Sequence, residues 1–170
     1  MTMPPPPMSV AGENDVHRRL TERLRQNGLP HTVHAHAPTR TVDEARDNLD
    51  FDVTRIVKTI AFGLRGGGLV LAALRGTRRV AYPGLAQALG RTRRDLAALS
   101  PAEVPARLGV APGSVSPVPL DPATIVLVDA DVLTIEPTLY CGLGRPDRTL
   151  EIAPADLLTL TGGRTADFSK

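Results

Sequence analysis

Residues 55–74 read Arg55-Ile56-Val57-Lys58-Thr59-Ile60-Ala61-Phe62-Gly63-Leu64-Arg65-Gly66-Gly67-Gly68-Leu69-Val70-Leu71-Ala72-Ala73-Leu74. Two apolar runs, 56–64 and 69–74, flank a glycine-rich connector, which predicts a β-hairpin. Within the first run sits Lys58. Lysine occurs only twice in the chain, at Lys58 and Lys170, whereas arginine supplies the other 18 of the 20 basic residues. An unpaired charge on an apolar strand is costly. The ammonium therefore either alternates outward into water or anchors a polar site. Strand periodicity alone leaves both open.

Outward from the hairpin, Val16, Leu20 and Leu24 recur at helical spacing and stop at Asn27-Gly28. Residues 29–35 read as a strand. Thr41-Val42-Asp43-Glu44 forms a capping box for a short helix reaching about Leu49. Arg78–Ala81 extends the sheet, and Pro83–Leu89 is a helix stopped by Gly90. Ser100-Pro101-Ala102-Glu103 opens another helix ending near Leu108-Gly109. Residues 111–120, rich in Pro, Gly and Ser, form a loop. Ile125–Val128 is a buried strand. Leu133–Ile135, Leu139–Cys141 and Leu150–Ile152 are further short strands, and Pro154–Leu160 is a helix closed by Gly162-Gly163. Strands and helices mix without a βαβ repeat. The expected class is α+β: a single domain with a mixed, mostly antiparallel sheet or barrel-like core flanked by short helices. Four successive prolines near the start place a disordered tail at 1–11 and the domain at 12–170.

Composition narrows the function. Apolar residues make up 42% of the 170 and aromatics 3%, with no Trp, so the core is aliphatic. Scarce rings argue against a base-stacking platform for single-stranded nucleic acid. The net charge of +2 hides a basic stretch at 55–110, attractive to a polyanion such as RNA, and an acidic stretch at 121–170. One cysteine excludes an internal disulfide and a multi-cysteine zinc site. With no long apolar run and no signal-peptide pattern, the expected location is cytoplasmic, with no membrane partner.

No phosphate-binding lysine loop, dinucleotide fingerprint or nucleophile elbow is present. His31, His34 and His36 lie close together, but with no evident carboxylate nearby they read as a polar strand face at a pocket rim, and no metal is expected. Cys141 reads as a packing residue, since a nucleophile needs a base or a lowered pKa. The loop Pro112-Gly113-Ser114-Val115-Ser116-Pro117 and the turn Gly142-Leu143-Gly144 permit close backbone approach to a ligand.

The order of Val57-Lys58-Thr59-Ile60, Arg78-Arg79-Val80, Leu85–Gly90, Pro112–Pro117, Ile125–Asp129, Tyr140–Arg145 and Leu150–Leu157 resembles the YbaK/prolyl-tRNA-synthetase-associated domain family. The resemblance runs from about Val16 to Phe168. It implies a freestanding trans-editing deacylase, without cofactor, that hydrolyses the ester of a mischarged tRNA of the proline type. The tRNA is its partner, along with a synthetase such as prolyl-tRNA synthetase. Lys58 maps onto the lysine that holds the terminal adenosine or ester region. Gly113, Ser114, Ser116, Pro117, Gly142 and Gly144 map onto the substrate loops, and His34 and Thr41 onto the pocket wall. Ser114 replaces a glycine, and its Cβ is expected to narrow the pocket or shift a carbonyl. Thr149 stands where some members carry an acid. Arg75, Arg78, Arg79, Arg91, Arg93 and Arg94 are the candidate phosphate contacts. The alternative is a non-catalytic module that binds an aminoacyl-adenosine or nucleotide.

Overall fold

In the computed structural model, which describes residues 10–39 and 51–170, the hairpin forms as expected. Strand β2 (Val57–Leu64) pairs antiparallel with β3 (Leu69–Arg75), placing Lys58 opposite Leu74 and Gly63 opposite Leu69. Gly66, Gly67 and Gly68 take φ of 89, 106 and 104°, a region open to glycine but strained for other residues. The preceding strand β1 (His31–Ala35) follows helix α1 (Val10–Asn27). After the hairpin come helix α2 (Tyr82–Leu89), strand β4 (Leu96–Ala98), helix α3 (Glu103–Leu108) and strand β5 (Ile125–Asp129). Strands β6 (Leu139–Gly142) and β7 (Arg148–Ile152), helix α4 (Pro154–Thr161) and strand β8 (Arg164–Ala166) complete the order.

The strands make two sheets. One has the order β4-β2-β3-β5-β8, antiparallel through β3 and parallel from β3 to β8; the other, β1-β7-β6, is antiparallel. Between them the described residues form one isolated bridge, Ile56 to Tyr140. The sheets splay beyond it, so the expected barrel-like core does not close into a barrel.

Strand period explains the two cores. Leu71 and Ala73 of β3 face Val57 and Ala61 of β2, β6, β7 and the α1 side chains Leu20 and Leu24. Val70, Ala72 and Leu74 face the other way, toward Phe62, Leu85 and Phe168. With both faces covered, β3 is buried from Val70 to Leu74, as its unbroken apolar run demands. Lys58 has the parity of Ile60 and Phe62 and sits at the edge of this second core.

Several local readings change. Leu133–Ile135 is not a strand: Ala130–Thr134 forms a 3-10 turn, held because Thr134 Oγ1 donates to Asp131 O at 2.7 Å and Arg75 Nε donates to Asp131 Oδ2 at 2.8 Å. Arg78–Ala81 contributes only the isolated bridge of Val80 to Ser169. The Ser100–Glu103 capping pair forms, with Glu103 N donating to Ser100 Oγ at 3.2 Å and Ser100 N to Glu103 Oε1 at 3.0 Å, but the regular helix starts at Glu103. The short strands β4 and β8 escaped notice because three residues carry too little periodicity. Helix α1 begins at Val10, inside the stretch read as tail. The rest of that tail and the Thr41–Glu44 capping box lie outside the described residues.

Candidate functional site

Strand β4 pairs with β2 only at Phe62–Leu64, so the β2 edge from Val57 to Ile60 has no strand neighbour among the described residues. There the sheets diverge, leaving a cavity of about 300 Å³. Its walls are that edge, Gly113 and Val115 of the 111–120 loop, Tyr140–Gly142 of β6, and the turn from Arg145 to Thr149.

Lys58 lines this cavity, and the backbone orients its ammonium. Its Nζ donates to Arg78 O at 2.5 Å and to Gly76 O at 3.4 Å. An ammonium has three N–H donors, so one remains for a ligand. Burial, and then the neighbouring Arg79 guanidinium, lower the Lys58 pKa from its ordinary value. The ammonium is thus hydrogen-bonded to backbone carbonyls and not turned freely into water, the first of the two alternatives that periodicity left open.

Gly142 lets the loop lie against β6. A Cβ there would stand 2.5 Å from Val115 O and 3.4 Å from Ser114 O. Gly113, at φ 89°, makes the turn that brings the loop in. The structure thus gathers Lys58, Gly113 and Gly142 at one cavity. Ser116 and Gly144 instead line a separate cavity of about 480 Å³ beside α1. Pro117 is buried and lines neither. Thr41 lies outside the described residues. Although the α1 cavity is larger, its wall lacks the ammonium and the paired Gly113 and Gly142 of the smaller one, so we place the candidate site at Lys58.

Ser114 is 1% exposed and lines neither cavity. Its Cβ therefore does not narrow the pocket as expected. Its carbonyl accepts from Gly144 N at 3.1 Å, tying the loop to the glycine turn, while its Oγ is buried without a partner among the described residues. An unmade hydrogen bond of this kind costs ~1–3 kcal/mol. Ser114→Ala is expected to raise the melting temperature by about 2–12 °C. Thermal denaturation checks this, and a fall in stability would reveal an unseen partner for the hydroxyl.

Thr59 Oγ1, in the wall beside Lys58, is likewise buried without a partner among the described residues. Cys141 also lines the cavity, but desolvation pushes its thiol pKa up to about 12. At neutral pH it is a thiol, unsuited to nucleophilic attack.

The histidines acquire partners that sequence distance concealed. His34 Nε2 donates to Glu151 Oε1 at 2.7 Å, and His36 Nε2 lies 2.7 Å from Thr149 Oγ1. The Glu151 pKa is lowered, chiefly by hydrogen bonds from Thr138 and His34. A carboxylate does accompany His34, supplied by β7 across the sheet. An aromatic wall was missed altogether. Phe51 and Tyr140 stack at 4.1 Å and 9°, with the Arg55 guanidinium 4.7 Å from the Tyr140 ring centre. The rarity of rings was the available signal, since these are two of five Phe and Tyr residues.

The six arginines fall into different settings. Arg75 is tied to Asp131, Thr54 and Thr134. Arg78 donates to Ser169 O at 3.3 Å and lies 3.7 Å from Asp131. Arg79 is exposed beside Lys58. Arg91, Arg93 and Arg94 are exposed around the end of α2, where Arg93 covers the Tyr82 ring at 3.8 Å. Lys58 and Leu64 are six residues apart on β2, so that cluster sits roughly 20 Å along the strand from the lysine.

Residues 36–160 match the aminoacyl-tRNA editing domain. The chain belongs to that family. Among solved structures it is similar to hypothetical protein APE2540, with 29% identity, TM-score 0.81, and coverage of 89% of this chain and 99% of that one. It is also similar to a candidate trans-editing enzyme for prolyl tRNA synthetase, with 27% identity, TM-score 0.78 and coverage of 95% and 99%. A third similar structure comes from computational epitope grafting onto scaffold proteins, with 30% identity, TM-score 0.74 and coverage of 91% and 97%. No curated protein matches. No helix among the described residues is long and apolar enough to cross a membrane.

Proposed function

We propose that this editing domain hydrolyses the ester of a mischarged tRNA in trans, with tRNA of the proline type as its substrate. The observation that carries the reading is Lys58, whose ammonium is held by two backbone carbonyls and which lines a cavity walled by glycine backbone. In this reading Lys58 is the catalytic residue. Water, or the tRNA hydroxyl adjoining the ester, attacks the acyl carbonyl. The developing oxyanion is stabilised by the remaining Lys58 N–H. Collapse expels the ribose oxygen, which takes up a proton. With water the products are the free amino acid and a tRNA bearing an unmodified terminal hydroxyl. With the adjoining hydroxyl, the acyl group first moves to that oxygen. No protein nucleophile enters, consistent with the high Cys141 pKa.

The test is deacylation of a panel of mischarged tRNAs. Turnover of at least one, with correctly charged tRNA spared, supports the reading. Failure on every member, with retained binding of an aminoacyl-adenosine analogue, would establish the non-catalytic module instead.

The arginine settings give a second expectation. Phosphate contacts set the salt dependence of nucleic-acid binding, roughly one unit of slope per neutralised phosphate. Replacing Arg91, Arg93 and Arg94 together with Gln is expected to flatten the slope of tRNA affinity against salt by about two to three units. Arg75→Gln should instead lower stability and leave the slope unchanged, because its guanidinium serves Asp131. An unchanged slope in the triple variant removes these residues from the tRNA path.

A further inference from the structure

The cavity of about 480 Å³ beside α1 shares only Val115 with the lining of the Lys58 cavity. The loop between them is a partition. Gly113 presents to the lysine side and Ser116 and Val118 to the other, with Val115 lining both. The glycine turn divides the same way, with Gly142 on the lysine side and Gly144 on the α1 side. Space at Gly144 is tight, since an added Cβ would lie 3.2 Å from Val16 and 3.3 Å from Leu20. His17 Nδ1 binds Leu143 O at 2.8 Å, fixing α1 over this turn.

The interior of the cavity is apolar, built from Leu20, Leu69, Leu71, Leu108 and Val118. Its volume lies within the usual range for small-molecule sites. Two exposed guanidiniums, Arg19 from α1 and Arg107 from α3, also line it. Neither makes a hydrogen bond or ion pair with a described residue, although the Arg107 guanidinium is near enough to Glu103 to add to the Ser100 hydrogen bonds that lower its pKa. The acid at this rim, Asp121, accepts from Ala123 N at 2.9 Å and is engaged in its own turn. An aliphatic interior with two exposed cations at its edge, Arg107 also lying within the electrostatic reach of Glu103, matches a ligand with an apolar body and one anionic end.

The geometry points to a second binding site, between α1, α3 and the 115–124 segment, for a small amphipathic anion such as a medium-chain carboxylate. The apolar body fills the Leu20–Leu71–Leu108 space, and Arg19 and Arg107 pair with the charged end. This site does not depend on the editing reading, because it uses none of the lysine-side residues except Val115.

The experiment titrates the full chain with octanoate and maps amide shifts by NMR. A parallel measurement displaces the fluorescent anion 8-anilinonaphthalene-1-sulfonate with octanoate. The expected result is saturable shifts at Ser116, Val118 and Gly144. Binding should weaken roughly tenfold or more in Arg19→Glu/Arg107→Glu, a change confined to exposed side chains, and persist in Lys58→Ala. Thr124→Trp, which places an indole in the cavity, should abolish it. Absence of saturable shifts at these amides in millimolar octanoate overturns the site. So does binding unaffected by the charge reversal, or binding lost with Lys58→Ala, which would place the anion in the lysine cavity. Deacylation of the same variants is read separately, so failure of one reading leaves the other standing.

Discussion

Lys58→Ala is expected to lower kcat for deacylation by roughly 10²–10³-fold, the range for losing one preorganised donor to a developing oxyanion. Circular dichroism should show an unchanged fold, because the side chain lies at the edge of its core and not within it. Lys58→Arg should not restore activity. The two acceptors, Gly76 O and Arg78 O, grip a compact ammonium, and a planar guanidinium directs its N–H groups differently. The pH profile offers an independent readout. With the folded-state pKa below the ordinary 10.5, the charged form disappears at a lower pH than for a free lysine. Deacylation above the spontaneous rate should therefore be full below the folded-state pKa and fall as pH rises through it. The stability effect has the opposite sign. Between the folded-state pKa and the ordinary value the unfolded chain binds the proton more tightly, so this group raises stability as pH rises. Lys58→Ala at about the wild-type rate would remove the lysine from the chemistry.

Gly142→Ala is expected to damage stability and activity together. Its Cβ would stand 2.5 Å from Val115 O, and backbone cannot swing aside as a flexible side chain can. Overpacking of this kind costs ~1–3 kcal/mol, about 2–12 °C in melting temperature for a chain of this size. Relief requires moving the loop that carries Gly113, so deacylation should fall even at temperatures where the variant stays folded. Gly63→Ala is the contrasting substitution. Its Cβ meets chiefly the flexible end of Arg107, at 3.1 Å, and should be tolerated far better. Equal behaviour of the two variants would show that the loop does not rest on Gly142.

Much of this arrangement was legible because its signals are local. The hairpin announced itself through two apolar runs and a triple glycine, and α1 through its four-residue spacing. Lys58 stood out by rarity among arginines. What stayed hidden depends on distance along the chain. The carboxylate beside His34 comes from Glu151, 117 residues away, through the β1–β7 register. The division of Gly142 from Gly144, and of Gly113 from Ser116, follows from which side of a shared partition each residue faces. Adjacency in sequence made them look like parts of one wall. The Leu133–Ile135 reading failed for a related reason. Its apolar residues suggested a strand, but Arg75, from a different part of the chain, binds Asp131 and Thr134 and holds the segment in a tight turn.

The open edge of β2 carries a liability as well as a site. A strand whose backbone faces a gap is a template for any other extended segment, from a neighbouring molecule as readily as from a substrate. The side chains that crowd this gap, Lys58 on its backbone carbonyls and Arg145 and Arg148 around Asp147, obstruct pairing by a second copy of the same edge, and substitutions that trim them are expected to carry a solubility cost distinct from any effect on turnover.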